Sequence, residues 1–190
     1  MNVSKQVSKL AGRAPEPLRS GEGQLARANV NQGAVPEIRV TTRSFRDGGP
    51  IPYYCAGKAG LAPQLCWSGV PRDTREIVVL CEDPDAPMAK PFVHWVLYGI
   101  APSWSSLPEG IAPGAALSEG AVQGENSLGR KGFTGPEPPR GHGVHHYHFQ
   151  VFALDSTLAL GTAADRDAVV RVMRGHVLAS GEVVGTYGSD

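Results

Sequence analysis

Two aspartates, two histidines and a tyrosine stand at the ends of three apolar runs, and together they could hold an anion or move a proton. Asp83-Pro84-Asp85-Ala86-Pro87 follows the run Ile77-Val78-Val79-Leu80-Cys81. His94 stands near the start of the run Phe92–Ile100, and His145 and Tyr147 open the run His145–Leu154. A carboxylate close to an imidazole favours the protonated, donor form of the ring. A phenol adds a neutral donor. Such a set suits a small anion held by hydrogen bonds, or acid–base work on an ester. Taken alone, the acidic stretch is also an ordinary turn, since Asp and Pro dominate turns. Here two prolines stiffen it where a strand leaves the core, which suits a pocket wall.

Three predicted strands must carry these groups. Residues 77–82 form a buried strand, and Phe92–Ile100, nearly continuously apolar with β-branched and aromatic residues, a central one. In His145–Leu154 a period of two puts His145, Tyr147, Phe149, Val151 and Ala153 on an inward face, with His146, His148 and Gln150 on the other. Residues 101–143 are a long connection rich in Pro and Gly, a length more often functional than incidental. Near its end stands Gly135-Pro136-Glu137-Pro138-Pro139, where Glu137 alone among the last four has a backbone N–H. Further strands are expected at 38–42, 51–55, 65–68 and 182–187, and an amphipathic helix from 165 to about 179, capped by Thr162 or Asp165. His176 falls on the surface of that helix.

The whole chain sets the bounds. Its 190 residues suit one domain with a sizeable core, and 24 Gly with 16 Pro favour many short elements joined by firm turns. Lys+Arg and Asp+Glu balance at 18 each, so no net field draws nucleic acid or an anionic membrane. Cys55, Cys66 and Cys81 make no CxxC pair and are odd in number, which points to reduced thiols and a cytoplasmic protein. The first thirty residues hold no apolar signal-like stretch, and no run is long enough to span a bilayer. Residues 1–36 are poor in large apolar side chains and are expected to form a loosely docked or disordered arm, with a short helix at 24–28. The domain proper is expected over 37–190. GxSxG, HExxH, P-loop and GxGxxG signatures are absent. His146 and His148 share a strand face without a third ligand, so neither a metal site nor a cofactor is expected.

Four motifs in order, Asp83-Pro84-Asp85-Ala86-Pro87, His94-Trp95, Gly135-Pro136-Glu137-Pro138-Pro139 and His145-His146-Tyr147, resemble the phosphatidylethanolamine-binding protein family, also called the Raf kinase inhibitor protein family. Gly175-His176-Val177-Leu178-Ala179 and Val184-Gly185-Thr186-Tyr187-Gly188 are similar to its bacterial branch, and the likeness runs over about residues 37–188. The resemblance implies an all-β single domain, two antiparallel sheets with Greek-key connections and one or two short helices. It implies a small anion pocket in which Asp83, Asp85 and Pro87 match the acidic loop, His94 the strand histidine, Pro138 and Pro139 the proline wall, and His145 and Tyr147 the pocket histidine and tyrosine. Glu137 joins them through its lone N–H.

The function so implied is non-catalytic binding of a phosphate or phospholipid head-group-like anion. The alternatives are a protein inhibitor gripping a kinase or serine protease with the pocket rim, and a phosphate-ester hydrolase using the Asp/His cluster. Whether the chain pairs as a homodimer stays open. Departures from the family pattern are Ala62-Pro63-Gln64-Leu65 for Ser-Pro-Pro-Leu, Ala56 for an acidic residue, Phe133 for a tyrosine, and His146 for arginine on the outward face. Two finer expectations follow: a cis Ala86–Pro87 bond, turning Asp85 back to the strand end, and His94 or His145 held protonated by Asp83, with the anion on the far side of the ring.

Overall fold

The computed structural model describes residues 18–30, 33–57 and 60–188. Three strands, β1 (Arg39–Thr41), β2 (Leu65–Ser68) and β5 (Ser106–Leu107), form a small antiparallel sheet in the order β1-β2-β5. The larger sheet joins β3 (Glu76–Asp83), β4 (Phe92–Ile100), β6 (Val122–Gln123), β7 (His145–Leu154) and β8 (Val177–Tyr187) in the order β6-β4-β3-β7-β8, with every neighbour antiparallel. Among the described residues the two α-helices are short: α1 (Ala26–Val30) and α2 (Arg166–Met173). The body is therefore mostly β, as expected.

The central strands are apolar on both faces because both are covered. One face packs Val79, Trp95, Leu97, Phe149 and Val151 against Val40, Leu65 and Trp67 of the small sheet. The other packs Val78, Leu80, Val96, Phe152 and Leu154 against Ala26 and Val30 of α1 and Val169, Val170 and Met173 of α2. Burial at roughly 25 cal/mol per Å² on two faces makes β3 and β7 the most strongly held elements.

Several local expectations are corrected. Residues 51–55 make no strand: Tyr53–Cys55 is a 3-10 turn following Pro52. The helix predicted to reach about 179 ends at Met173. Asp165 caps it by accepting from the Ala168 N–H at 2.8 Å, and Gly175 at φ +83° turns the chain so that Val177 already belongs to β8. His176 is thus off the helix, its Nδ1 2.8 Å from Asp155 Oδ1. The Ala86–Pro87 bond is trans, like every described peptide. Asp83 Oδ1 accepts the Asp85 and Ala86 N–H groups at 2.8 and 3.1 Å and bends the loop without it.

Of the arm expected to be loosely docked or disordered, residues 18–30 pack on the body with their short helix at Ala26–Val30, while residues 1–17 lie outside the described residues. Leu25, Ala26 and Val30 are buried, and the sheet presents polar groups beneath them. Glu82, fully buried, accepts from Ala26 N (2.7 Å) and Gln150 Nε2 (2.6 Å) with one oxygen and from Arg166 Nε (2.8 Å) with the other. Arg27 donates to Ser180 Oγ and to Glu182 Oε1. These bonds, with the buried Leu25, Ala26 and Val30, offset ordering cost that the segment's composition alone cannot meet.

Glu82 is therefore the anchor of the arm. Glu82→Ala leaves the Ala26 N–H and the Arg166 Nε–H without their partner, and loss of one member of a buried pair costs about 3–5 kcal/mol. Urea unfolding should show a loss of that order, with faster hydrogen exchange at Ala26. An unchanged midpoint would remove Glu82 from this role.

Candidate functional site

The site begins with the last residue of β3. Asp83 is buried, and both carboxylate oxygens are committed: Oδ1 to the turn as above, Oδ2 to His145 Nδ1 at 2.8 Å. A carboxylate only accepts, so His145 carries its proton on Nδ1. Strand parity then sets Tyr147 beside it on the same face. His94, from β4, donates Nδ1–H to the Thr134 carbonyl at 2.7 Å, and its ring meets the Tyr147 ring edge-on at 5.0 Å.

These groups surround one concavity of about 270 Å³, lined also by Ala86, Pro87, Met88, Phe92, Leu128, Thr134, Gly135, Glu137, Pro138 and Pro139. Of the nine residues singled out from sequence, eight line it. Asp85 does not. Its Oδ1 takes Arg19 NH1 at 2.7 Å, and its Oδ2 accepts the His146 N–H at 2.9 Å and meets His146 Nδ1 at 2.8 Å. Burial tends to raise the Asp85 pKa, but the His146 bonds and the Arg19 guanidinium outweigh it and hold the carboxyl below its ordinary value. Asp85 thus ties the acidic loop to the arm and to β7 instead of facing a ligand.

The wall Gly135–Pro139 is pressed against the turn after Cys55. Gly135 donates to Gly57 O at 3.1 Å, Gly57 donates to Pro136 O at 2.8 Å, and a Cβ on Gly135 would meet Cys55 O at 2.2 Å. Only glycine allows that approach. Phe133, where a tyrosine is customary, is buried against Trp95 and Phe149 rather than in the cavity. Neither Ala56 nor residues 62–64 line it. The turn keeps its bonds through backbone and Gln64: Gly110 N donates to Ala62 O, and Arg43 N to Gln64 Oε1.

Electrostatics revises one expectation. Burial pushes the His94 imidazole down to about 4, overriding the Thr134 bond and the nearby Asp83, which favour its charge; His145 beside it lowers it further. His94 is a neutral ring at pH 7 and not the cationic donor. Tyr147 is pushed up, first by burial and then by Asp83, so its phenol stays protonated. Its hydroxyl makes no hydrogen bond among the described residues and is not shut away from solvent, which leaves it open in a cavity that its ring lines. A buried phenol usually finds a hydrogen-bond partner.

Sequence reasoning missed Met88, Phe92 and Leu128, which give the mouth an apolar lip; Met88 and Leu128 are exposed. Nothing in local pattern marks them, because they come from three separate segments. It also missed His142, whose Nδ1 lies 3.2 Å from His145 Nε2. The far side of the His145 ring, expected to meet an anion, is therefore already occupied by an imidazole. The signal was available: a histidine set between two glycines three residues before the strand histidine.

Other groups offer less. A groove of about 320 Å³ along the start of α2 carries Lys90, Arg166 and Asp167, but these are paired, Lys90 with Asp167 at 2.6 Å and Arg166 with Glu82. Among the described residues no three His, Cys, Asp or Glu side chains gather as metal ligands. The three thiols are free, and burial, with Glu109 nearby, pushes Cys55 up to about 11.

Comparisons with known proteins bear on the family and the fold. The model of the phosphatidylethanolamine-binding protein family matches residues 41–188. The UPF0098 protein of Methanothermobacter thermautotrophicus is 40% identical over 152 residues, spanning 79% of this chain and 98% of that protein. The UPF0098 protein of Aquifex aeolicus is 42% identical over 161 residues, 83% and 91% of the two chains. Among solved structures, a phosphatidylethanolamine-binding protein homologue from Chlamydia trachomatis superposes with a TM-score of 0.72 at 34% identity, covering 81% of this chain and 99% of that one. Escherichia coli YbcL, described as a member of the mammalian PEBP family, gives 0.76 at 30% identity with the same coverage. With the family model covering most of its length and relatives matched almost end to end, the chain belongs to the phosphatidylethanolamine-binding protein family.

Proposed function

We propose that this chain binds small anions of the phosphoryl type, as a phosphodiester or phospholipid head group presents them, without turning them over. The observation that carries the reading is the open hydroxyl of Tyr147, set beside the Asp83-oriented His145 in a cavity with a polar floor and an apolar lip. On that floor the Tyr147 hydroxyl is the donor left for a phosphoryl oxygen. Met88, Phe92 and Leu128 suit a short alkyl substituent at the mouth. The Glu137 N–H, with no partner among the described residues, adds a donor on the proline wall.

Binding without turnover is supported by what lines the cavity: among the described residues no serine or cysteine nucleophile is there. His94 spends its N–H on a carbonyl, and His145 spends its own on Asp83. The balanced charge and three free thiols support a reducing, cytoplasmic setting. Among the described residues no helix is long and apolar enough to cross a membrane.

Titration calorimetry with glycerophosphoethanolamine, a phosphodiester of fixed charge, tests the reading. Tyr147→Phe removes a hydrogen bond to a charged acceptor, worth about 1.5–3 kcal/mol, so affinity should fall roughly tenfold or more with the fold intact. His94→Ala, which removes a neutral ring, should weaken binding by a similar factor at every pH from 5.5 to 8.5, because that ring carries no charge to titrate there. Two variants that bind as the wild type does would place the ligand elsewhere. Steady release of ethanolamine or glycerophosphate would replace binding by hydrolysis.

A further inference from the structure

The groove along the start of α2 runs on toward the end of that helix. A second hollow of about 280 Å³ shares Lys90, Pro91, Arg166 and Asp167 with it, and adds Arg171 and Arg174 at the end of α2 with Gln24 and Asn29 from the arm. Four cations and one carboxylate therefore line this hollow, on a chain whose charges balance at 18 each.

Two of the four cations belong to the architecture. Lys90 Nζ donates to Asp167 Oδ2 at 2.6 Å. Arg166 gives NH1 to Asp167 Oδ1 at 3.1 Å, Nε to the buried Glu82 at 2.8 Å and NH2 to Gln24 O at 2.7 Å. These bonds tie the β3–β4 loop and the arm to α2, so the walls are held before anything enters. They also close the local charge count, with Lys90 and Arg166 matched by Asp167 and Glu82. Arg171 and Arg174 are left over. Both are exposed, and neither guanidinium bonds or ion-pairs with any described residue.

Arg171 stands in the last turn of α2, where a cation complements the helix dipole. That effect leaves the guanidinium donors without acceptors. Guanidinium forks match carboxylates in paired hydrogen bonds. Gln24, whose side-chain amide bonds no described residue, can both donate and accept, as a peptide backbone requires. Pro91 and Val170 add an apolar strip. Two free cations are too few for a duplex, whose binding proteins neutralise about 6–10 phosphates.

We propose that the hollow between α2 and the arm is a docking site for an acidic segment of a partner protein, with Arg171 and Arg174 on its carboxylates and Gln24 on its backbone. The occupant follows from charge complementarity: two unmatched positive charges in a pre-held hollow of an electrically balanced chain call for a short run of Asp or Glu. This surface does not rest on anion binding in the Tyr147 cavity.

Fluorescence anisotropy of a labelled hexaglutamate peptide with the full-length protein, at about 20 mM salt where screening is weak, is the test. Arg171→Gln and Arg174→Gln should each weaken binding roughly threefold, and the double variant roughly tenfold, the scale of exposed ion pairs. Arg39→Gln, on the small sheet and losing the same charge, should bind as the wild type does. Nitrogen-15 spectra of the wild type, which depend on no variant folding, should show the peptide shifting the Nε–H signals of Arg171 and Arg174 and the Gln24 side-chain amide. An equal loss in Arg39→Gln makes the attraction one of overall charge and overturns the site, as does a peptide that stays unbound or leaves those signals unmoved. Vesicles of phosphatidylcholine and phosphatidylserine are the rival probe. If they are captured while the peptide is not, and the double variant abolishes the capture, the face belongs to a lipid surface and the proposal fails.

Discussion

The site depends on one carboxylate doing two jobs. Asp83 ends β3, and its two oxygens bond in opposite directions: one into the backbone of its own loop, the other to a histidine from the neighbouring strand. The first bond shapes the loop that brings Ala86 and Pro87 to the cavity. The second fixes the tautomer of His145. A carboxylate with both oxygens engaged tolerates burial that an unpaired one could not. Without it, neither the loop nor the ring tautomer would be determined.

The sheet makes that arrangement possible by being buried on both faces. With the small sheet on one side and α1 and α2 on the other, β3 and β7 cannot shift register, since a slip of one residue would exchange every inward and outward group. His145 and Tyr147 are inward because Phe149 and Val151 must be. The outward neighbours then need partners beneath the N-terminal segment, and Glu82, Gln150 and Glu182 find them there. His148 finds one: its Nδ1 meets Glu182 Oε2 at 3.0 Å, while its Nε2 is the one side-chain nitrogen or oxygen among the described residues both buried and unpartnered.

Much of this was legible in the residues. Period-two alternation set the faces of β7, the apolar run gave β4 to the residue, and the proline wall and the mouths of three strands marked where a cavity would lie. What escaped depended on long-range pairing. The segment 18–30 looked loosely docked or disordered because its partners, Glu82 and Arg166, are distant in sequence. Asp85 looked equivalent to Asp83, and only the position of Arg19 separates their roles. His94 looked chargeable beside a carboxylate, but the cost of burying the ring decides its state, and that cost depends on packing rather than on neighbours in sequence.

The most direct test of the account is a crystal structure of the protein grown with glycerophosphoethanolamine near pH 5.5. The account predicts density for the phosphoryl group in the cavity between β3, β4 and β7, with one oxygen about 3 Å from Tyr147 Oη. Phosphoryl density in the groove beside α2, with only water over Tyr147, would contradict it.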